Sequence, residues 1–94
     1  MTKKEKYELK KMLGSREFRA FVFRIINACQ TFRHGFIPGD PNAAAFTEGQ
    51  RSIGLMLFDN LMETDPKAYL QMREEYFERL RAEQQKTEDK INQK

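Results

Sequence analysis

Few side chains in this chain are spaced for chemistry. Cys29 and His34 are its only thiol and only imidazole, five residues apart. A Cys/His nucleophile needs a third group to orient the imidazole and a setting that lowers the thiol pKa. No carboxylate is placed for the first task, and Cys29 falls on an apolar stripe, where a thiol is inert. We therefore expect Cys29 to be structural and His34 to be a hydrogen-bonding loop residue. One Cys and one His cannot make up a zinc ligand set, and no phosphate-cradling glycine loop or Walker sequence occurs. No metal, cofactor or catalytic group is expected, and the chain is expected not to be an enzyme.

The remaining charged groups suggest contacts. Glu48 and Arg51 lie one helical turn apart in an otherwise apolar stretch, where a charge must find a partner or reach water; they are read as a polar anchor for the loop Phe32–Pro38. Glu74, Glu75 and Glu78 alternate with Arg residues and are expected on a solvated helix face, with Glu75 paired to Arg79 four residues on. Lys3, Lys4, Lys10 and Lys11 with Arg16, Arg19 and Arg24 form the basic set that would meet nucleic acid through its phosphates. The charge is uneven: +6 over residues 1–34, −4 over 35–65 and +1 over 66–94. Such blocks can complement each other within the fold or between copies. They are too mild to single out a nucleic-acid footprint, and a helix-turn-helix lacks its polar recognition helix here.

The elements that position these groups are helical. At 94 residues the chain is one domain with a modest core, and 39% hydrophobic residues suffice to fold it. Thr2 to Leu13 reads as a short amphipathic helix ended by Gly14, with Ser15 capping the next. Phe18, Phe21, Val22, Ile25, Ile26, Cys29 and Phe32 recur at spacings of three and four, which predicts a helix over 15–32. Phe23 lies off that stripe, as a second internal contact or a partner contact. Asp40-Pro41 and Asp65-Pro66 each put a capping carboxylate before a proline, predicting helices over 41–64 and 66–85. Between the second and third helices, two Gly and two Pro enforce a loop whose Phe32, Phe36 and Ile37 should fold back onto the bundle.

The third helix has apolar series on more than one side: Phe46, Ile53, Met56, Leu57 and Leu61, then Leu55, Phe58 and Met62. It should be covered from more than one side. Gly49 and Gly54 within it each cost about 1 kcal/mol in helix propensity, which suggests close helix approach. Residues 87–94 should form a disordered tail after a domain of 1–86. The lone Cys fits a reducing compartment; no leader is evident, no apolar run is long enough to span a bilayer, and the chain is expected to be soluble.

The runs Phe32-Arg33 with Phe36, Ala45-Phe46-Thr-Glu48-Gly49-Gln-Arg51-Ser-Ile-Gly54-Leu55, and Asp65-Pro66-Lys-Ala-Tyr69-Leu-Gln-Met72 resemble a family of small tailed-bacteriophage proteins typified by a Bordetella phage Bbp protein found among virion genes. The resemblance spans about Met12 to Glu75. It implies a viral protein, a virion or assembly component such as a connector, ejection or internal protein, found in the virion or the host cytoplasm. The expected fold is an all-α bundle of three main helices plus a short N-terminal one. The expected partner is another phage structural protein or a further copy, met through Phe23, Phe32, Arg33, Phe36, Ile37 and Phe46. The alternative is a basic nucleic-acid-associated factor, packaged with the genome or acting on host transcription.

Overall fold

A computed structural model describes residues 1–29, 31–32 and 39–93. Four helices follow in chain order: α1 (Lys3–Met12), α2 (Arg16–Ala28), α3 (Pro41–Thr64) and α4 (Pro66–Asn92). No strand occurs among the described residues, so the fold is all-α. Each helix starts at a residue whose side chain accepts from the first turn. Thr2 caps α1 and Ser15 caps α2. Asp40 caps α3 ahead of Pro41, and Asp65 both ends α3 and caps α4 ahead of Pro66. The proline at the first helical position has no N–H to leave unsatisfied, so both Asp-Pro pairs act as clean starts.

Two helices differ in length from the sequence expectation. α2 ends at Ala28 rather than near 32, because Cys29 takes the C-cap position and the chain turns there. α4 continues past 85 to Asn92, so residues 87–92 are helical although exposed. Charged and polar side chains with good helix propensity carry it on after its apolar pattern lapses. Of the expected apolar loop, residues 33–38 lie outside the described residues.

The core gathers where the helices meet. Leu13, Val22, Phe23, Ile26, Leu61, Ala68 and Met72 are buried, with Leu9, Phe18, Leu57 and Tyr69 packed against them. An aromatic cluster lies beside it. Phe58 and Tyr69 meet edge to face at 5.1 Å between centroids, Phe32 stands edge-on to Phe58 at 5.1 Å, and Phe23 touches Tyr69 and Tyr76.

Gly54 is the point of closest helix approach. A Cβ there would overlap Thr31 Oγ1 and sit 3.0 Å from Cys29 Cβ, so only glycine lets the end of α2 lie on α3. Thr31 is itself fixed there, buried with its hydroxyl donating to Ile26 O at 2.7 Å. Gly49 differs: a Cβ on it would meet nothing within 4 Å, so no close approach accounts for it.

The helices are unequal, and this sets the shape. At 1.5 Å per residue, the 24 residues of α3 and 27 of α4 run to about 36 and 40 Å, whereas the 13 of α2 reach only about 20 Å. The short helices cannot cover the long ones. The result is a slab of 51 × 43 × 15 Å with a radius of gyration of 17.2 Å, against about 12 Å for a compact domain of this length. Its accessible surface is 7306 Å², against about 5,700 Å² expected for a compact monomer of 11.2 kDa. α3 packs against α1, α2 and α4, so it is covered on more than one side as expected, but not along its whole length. Only Gly54 and Leu61 are buried in it, while Phe46, Ile53 and Met56 are 68%, 52% and 52% exposed.

Two predictions follow from these local geometries. Gly54→Ala should destabilise the fold by about 1–3 kcal/mol through overpacking against Thr31, whereas Gly49→Ala should stabilise it by about 1 kcal/mol; urea unfolding of the two variants side by side measures both. The second concerns acid. The Glu5 carboxyl is held below its ordinary value by the Thr2 backbone N–H and hydroxyl, and that of Glu17 by its own backbone N–H and the Ser15 hydroxyl. A depressed carboxylate stabilises fully above its unfolded pKa and ceases to as the pH falls through the folded value. Amide protection, taken relative to the intrinsic exchange rate at each pH, should fall at the first turns of α1 and α2 in that acid window, and Glu5→Gln and Glu17→Gln should flatten the response.

Candidate interaction surface

The strongest polar contact in the molecule joins α2 to α4. Arg19 Nε donates to Glu75 Oε1 at 2.7 Å, and Arg19 Nη1 donates to Leu13 O at 2.7 Å. Both side chains are buried, Arg19 at 8% and Glu75 at 6% exposure. Arg16 lies at the rim, with Nε 3.6 Å from Glu75 Oε2 and Nη2 donating to Glu78 at 2.9 Å. One guanidinium thus ties the α1–α2 corner, through the Leu13 carbonyl, to the middle of α4. Buried charges of this kind hold only when paired and hydrogen-bonded.

That network corrects two expectations. Arg19 is not a phosphate-binding residue, because its guanidinium is spent inside the fold, and Arg16 is engaged by Glu75 and Glu78. Nor does Glu75 belong to a solvated face beside Arg79. Its signal in the sequence is the shared spacing of three: Arg16 and Arg19 on one helix match Glu75 and Glu78 on another, and local i,i+4 pairing hides it.

The other candidates fall as follows. Phe23 is corrected from a partner contact to a core residue: it is 6% exposed because α4 presents Tyr69 and Tyr76 to it. Phe32 packs on Phe58 and Tyr69 yet stays 57% exposed. Arg33, Phe36 and Ile37, like His34, lie outside the described residues. Glu48 and Arg51 form the expected pair at 3.5 Å within α3, while the loop they were to anchor lies outside the described residues. Lys3, Lys4, Lys10 and Lys11 are exposed along α1, with Lys4 4.0 Å from Glu8. Arg24 is exposed over the Phe21 ring at 5.5 Å. Cys29 is half-buried against α3 near Gly54. Among the described residues no group of three or more His, Cys, Asp or Glu is placed to hold a metal.

What remains uncovered is apolar and helical. Along α3, Phe46 and Ile53 lie seven residues apart, two turns along one face, and Met56 follows three residues on. Of these, Phe46 alone was expected to meet a partner. Ile53 and Met56 look like core in the sequence, but they flank the Gly54 contact on a side of α3 that is left half exposed.

A family model described as Bbp19-like phage protein matches residues 9–74. The chain belongs to that family of phage proteins. The Bbp19-like match takes in the end of α1, all of α2 and α3 with the exposed Phe46–Met56 face, and α4 as far as Glu74. No curated protein and no solved structure matches the chain. No helix among the described residues is long and apolar enough to cross a membrane.

The ion pair generates a direct test. Glu75→Ala leaves the Arg19 guanidinium buried without its partner and should cost about 3–5 kcal/mol, whereas Arg19→Met combined with Glu75→Leu should stay within about 1 kcal/mol of the parent chain. Chemical denaturation of the three proteins measures the difference.

Proposed function

We propose that this Bbp19-like protein works by binding rather than by catalysis, as a phage component that docks on another protein of the same phage. The carrying observation is the Phe46–Met56 stretch of α3, which holds Phe46, Ile53 and Met56 in water on a face that no other described helix covers. Burying an apolar side chain of that size contributes about 1.5–3 kcal/mol. Three such residues on one rigid helix make a sufficient anchor for a groove in a partner. The chain also exposes about 1,600 Å² more than a compact monomer of its mass, about twice the roughly 800 Å² that one partner contributes to a standard protein interface. Family membership supports a partner from the phage itself. A connector, ejection or internal protein of the virion, or an assembly factor, all fit a small helical adaptor of this kind.

Phe46→Glu with Ile53→Lys, both at exposed positions, should leave helicity and unfolding unchanged and remove the protein from particles. The test is mass spectrometry of virions and assembly intermediates purified from cells carrying either form. Normal incorporation of the doubly substituted protein would overturn the docking face. Absence of the parent protein from every particle, together with salt-sensitive DNA binding lost on replacing Lys3, Lys4, Lys10 and Lys11, would replace this function with the nucleic-acid alternative.

A further inference from the structure

The second half of α4 has no partner among the described residues of its own chain. Every residue from Leu80 to Gln93 is exposed except by contacts along the helix itself. Isolated helices of about 12–15 residues are marginal in water, so a helix of this length that leaves the body of the protein calls for something to lie against. The arm also carries a pattern that the inward packing of α4 does not use. Its packed side consists of Ala68, Met72, Glu75 and Tyr76, which meet α2 and the core. A separate series, Leu70, Phe77, Gln84 and Ile91, recurs at intervals of seven, with Arg73, Leu80 and Thr87 in the intervening positions, so that the apolar seam is confined to the residues past Arg73. Leu70, Phe77, Leu80 and Ile91 are 59%, 43%, 40% and 63% exposed. A seven-residue repeat is the spacing of a helix seam that faces another helix.

The charges beside that seam specify the occupant. On one flank lie Glu74, Arg81 and Glu88; on the other lie Tyr76, Glu83 and Lys90. If two copies lay parallel, Glu83 of one would face Glu88 of the other, and like charges repel. If they lie antiparallel with Leu80 opposite Ile91, Gln84 falls opposite Thr87, Arg81 opposite Glu88 and Glu83 opposite Lys90. Twofold symmetry makes each of these contacts twice. Apolar meets apolar, amide meets hydroxyl, and the flanking charges within the overlap, Arg81, Glu83, Glu88 and Lys90, each meet an opposite one. An antiparallel register one heptad step shorter sets Arg81 against Arg81, Glu83 against Glu83 and Glu74 against Glu88.

We propose that two copies of this chain pair through their α4 arms, antiparallel, with Leu80 and Ile91 as the apolar contacts and Arg81–Glu88 and Glu83–Lys90 as the charge pairs that set the register. The inference deepens the binding function above by naming a second copy as one partner, and it uses a surface separate from the α3 face. Polar Gln84 and Thr87 at the centre weaken the seam and fix its alignment, as single buried polar residues do in coiled coils. The arm lies beyond residue 74, where the family match ends, so the pairing belongs to this chain rather than to the matched core.

Sedimentation equilibrium of the full chain, at low salt and up to about 1 mM because short seams associate weakly, should give a mass rising to twice 11.2 kDa. Leu80→Lys with Ile91→Lys should abolish the dimer while circular dichroism and thermal unfolding still report a folded chain. Arg81→Glu should weaken association about tenfold, and Arg81→Glu combined with Glu88→Arg should restore it. A single-chain mass throughout overturns the proposal. So does a dimer that survives Leu80→Lys with Ile91→Lys, or a charge swap that fails to restore pairing. Particle incorporation of the α4 variants separates the two functions: a missing dimer with normal incorporation removes only this pairing, and an intact dimer with failed docking through Phe46 and Ile53 removes only the function above.

Discussion

The fold depends on one buried ion pair. Arg19 reaches from α2 to Glu75 in the middle of α4 while its second nitrogen holds the Leu13 carbonyl at the α1–α2 corner. Two charges taken out of water are tolerated only in that one arrangement, so the pair acts as a register pin rather than as a net source of stability. Once it is set, Phe23 meets Tyr69 and Tyr76, and Ile26 and Met72 close over Leu61. Gly54 completes the junction by letting Thr31 and Cys29 lie directly on α3.

Around that junction the long helices outrun their cover, and function is best sought in what projects. α3 presents an apolar face from Phe46 to Met56 within the residues that define the family, and the second half of α4 continues a seven-residue repeat beyond them. The two surfaces differ in chemistry. The α3 face is apolar and free of strong charge patterning, as suits a groove in a partner. The α4 seam is narrow and edged by alternating charges, as suits a copy of itself.

Much of the architecture was legible in the sequence because its signals are local. Asp40-Pro41 and Asp65-Pro66 set the starts of α3 and α4, and Thr2 and Ser15 set those of α1 and α2. Gly54 announced a close approach, although Gly49, identical in type and helix, did not mark one. What could not be read is which side each helix shows to the others. Phe23 sat off the apolar stripe of α2 and proved central, because α4 crosses there with two tyrosines. Arg19 and Glu75 looked like surface charges, since Glu75 has Arg79 as a plausible neighbour on its own helix and its true partner is 56 residues away in sequence. Ile53 and Met56 looked buried for the converse reason: periodicity reports an apolar face and says nothing of whether a neighbour is long enough to cover it.

The described residues pack together at the junction, and both arms project from it. Hydrogen–deuterium exchange of the dilute chain, followed segment by segment, tests this arrangement most directly. Amides of α2 and of the Gly54–Met72 segment should exchange slowly under all conditions. Those of Asn42–Ser52 and of Arg81–Asn92 should exchange fast in the dilute chain and slow down on association. Arms as well protected as the junction in the dilute, single chain would contradict the account.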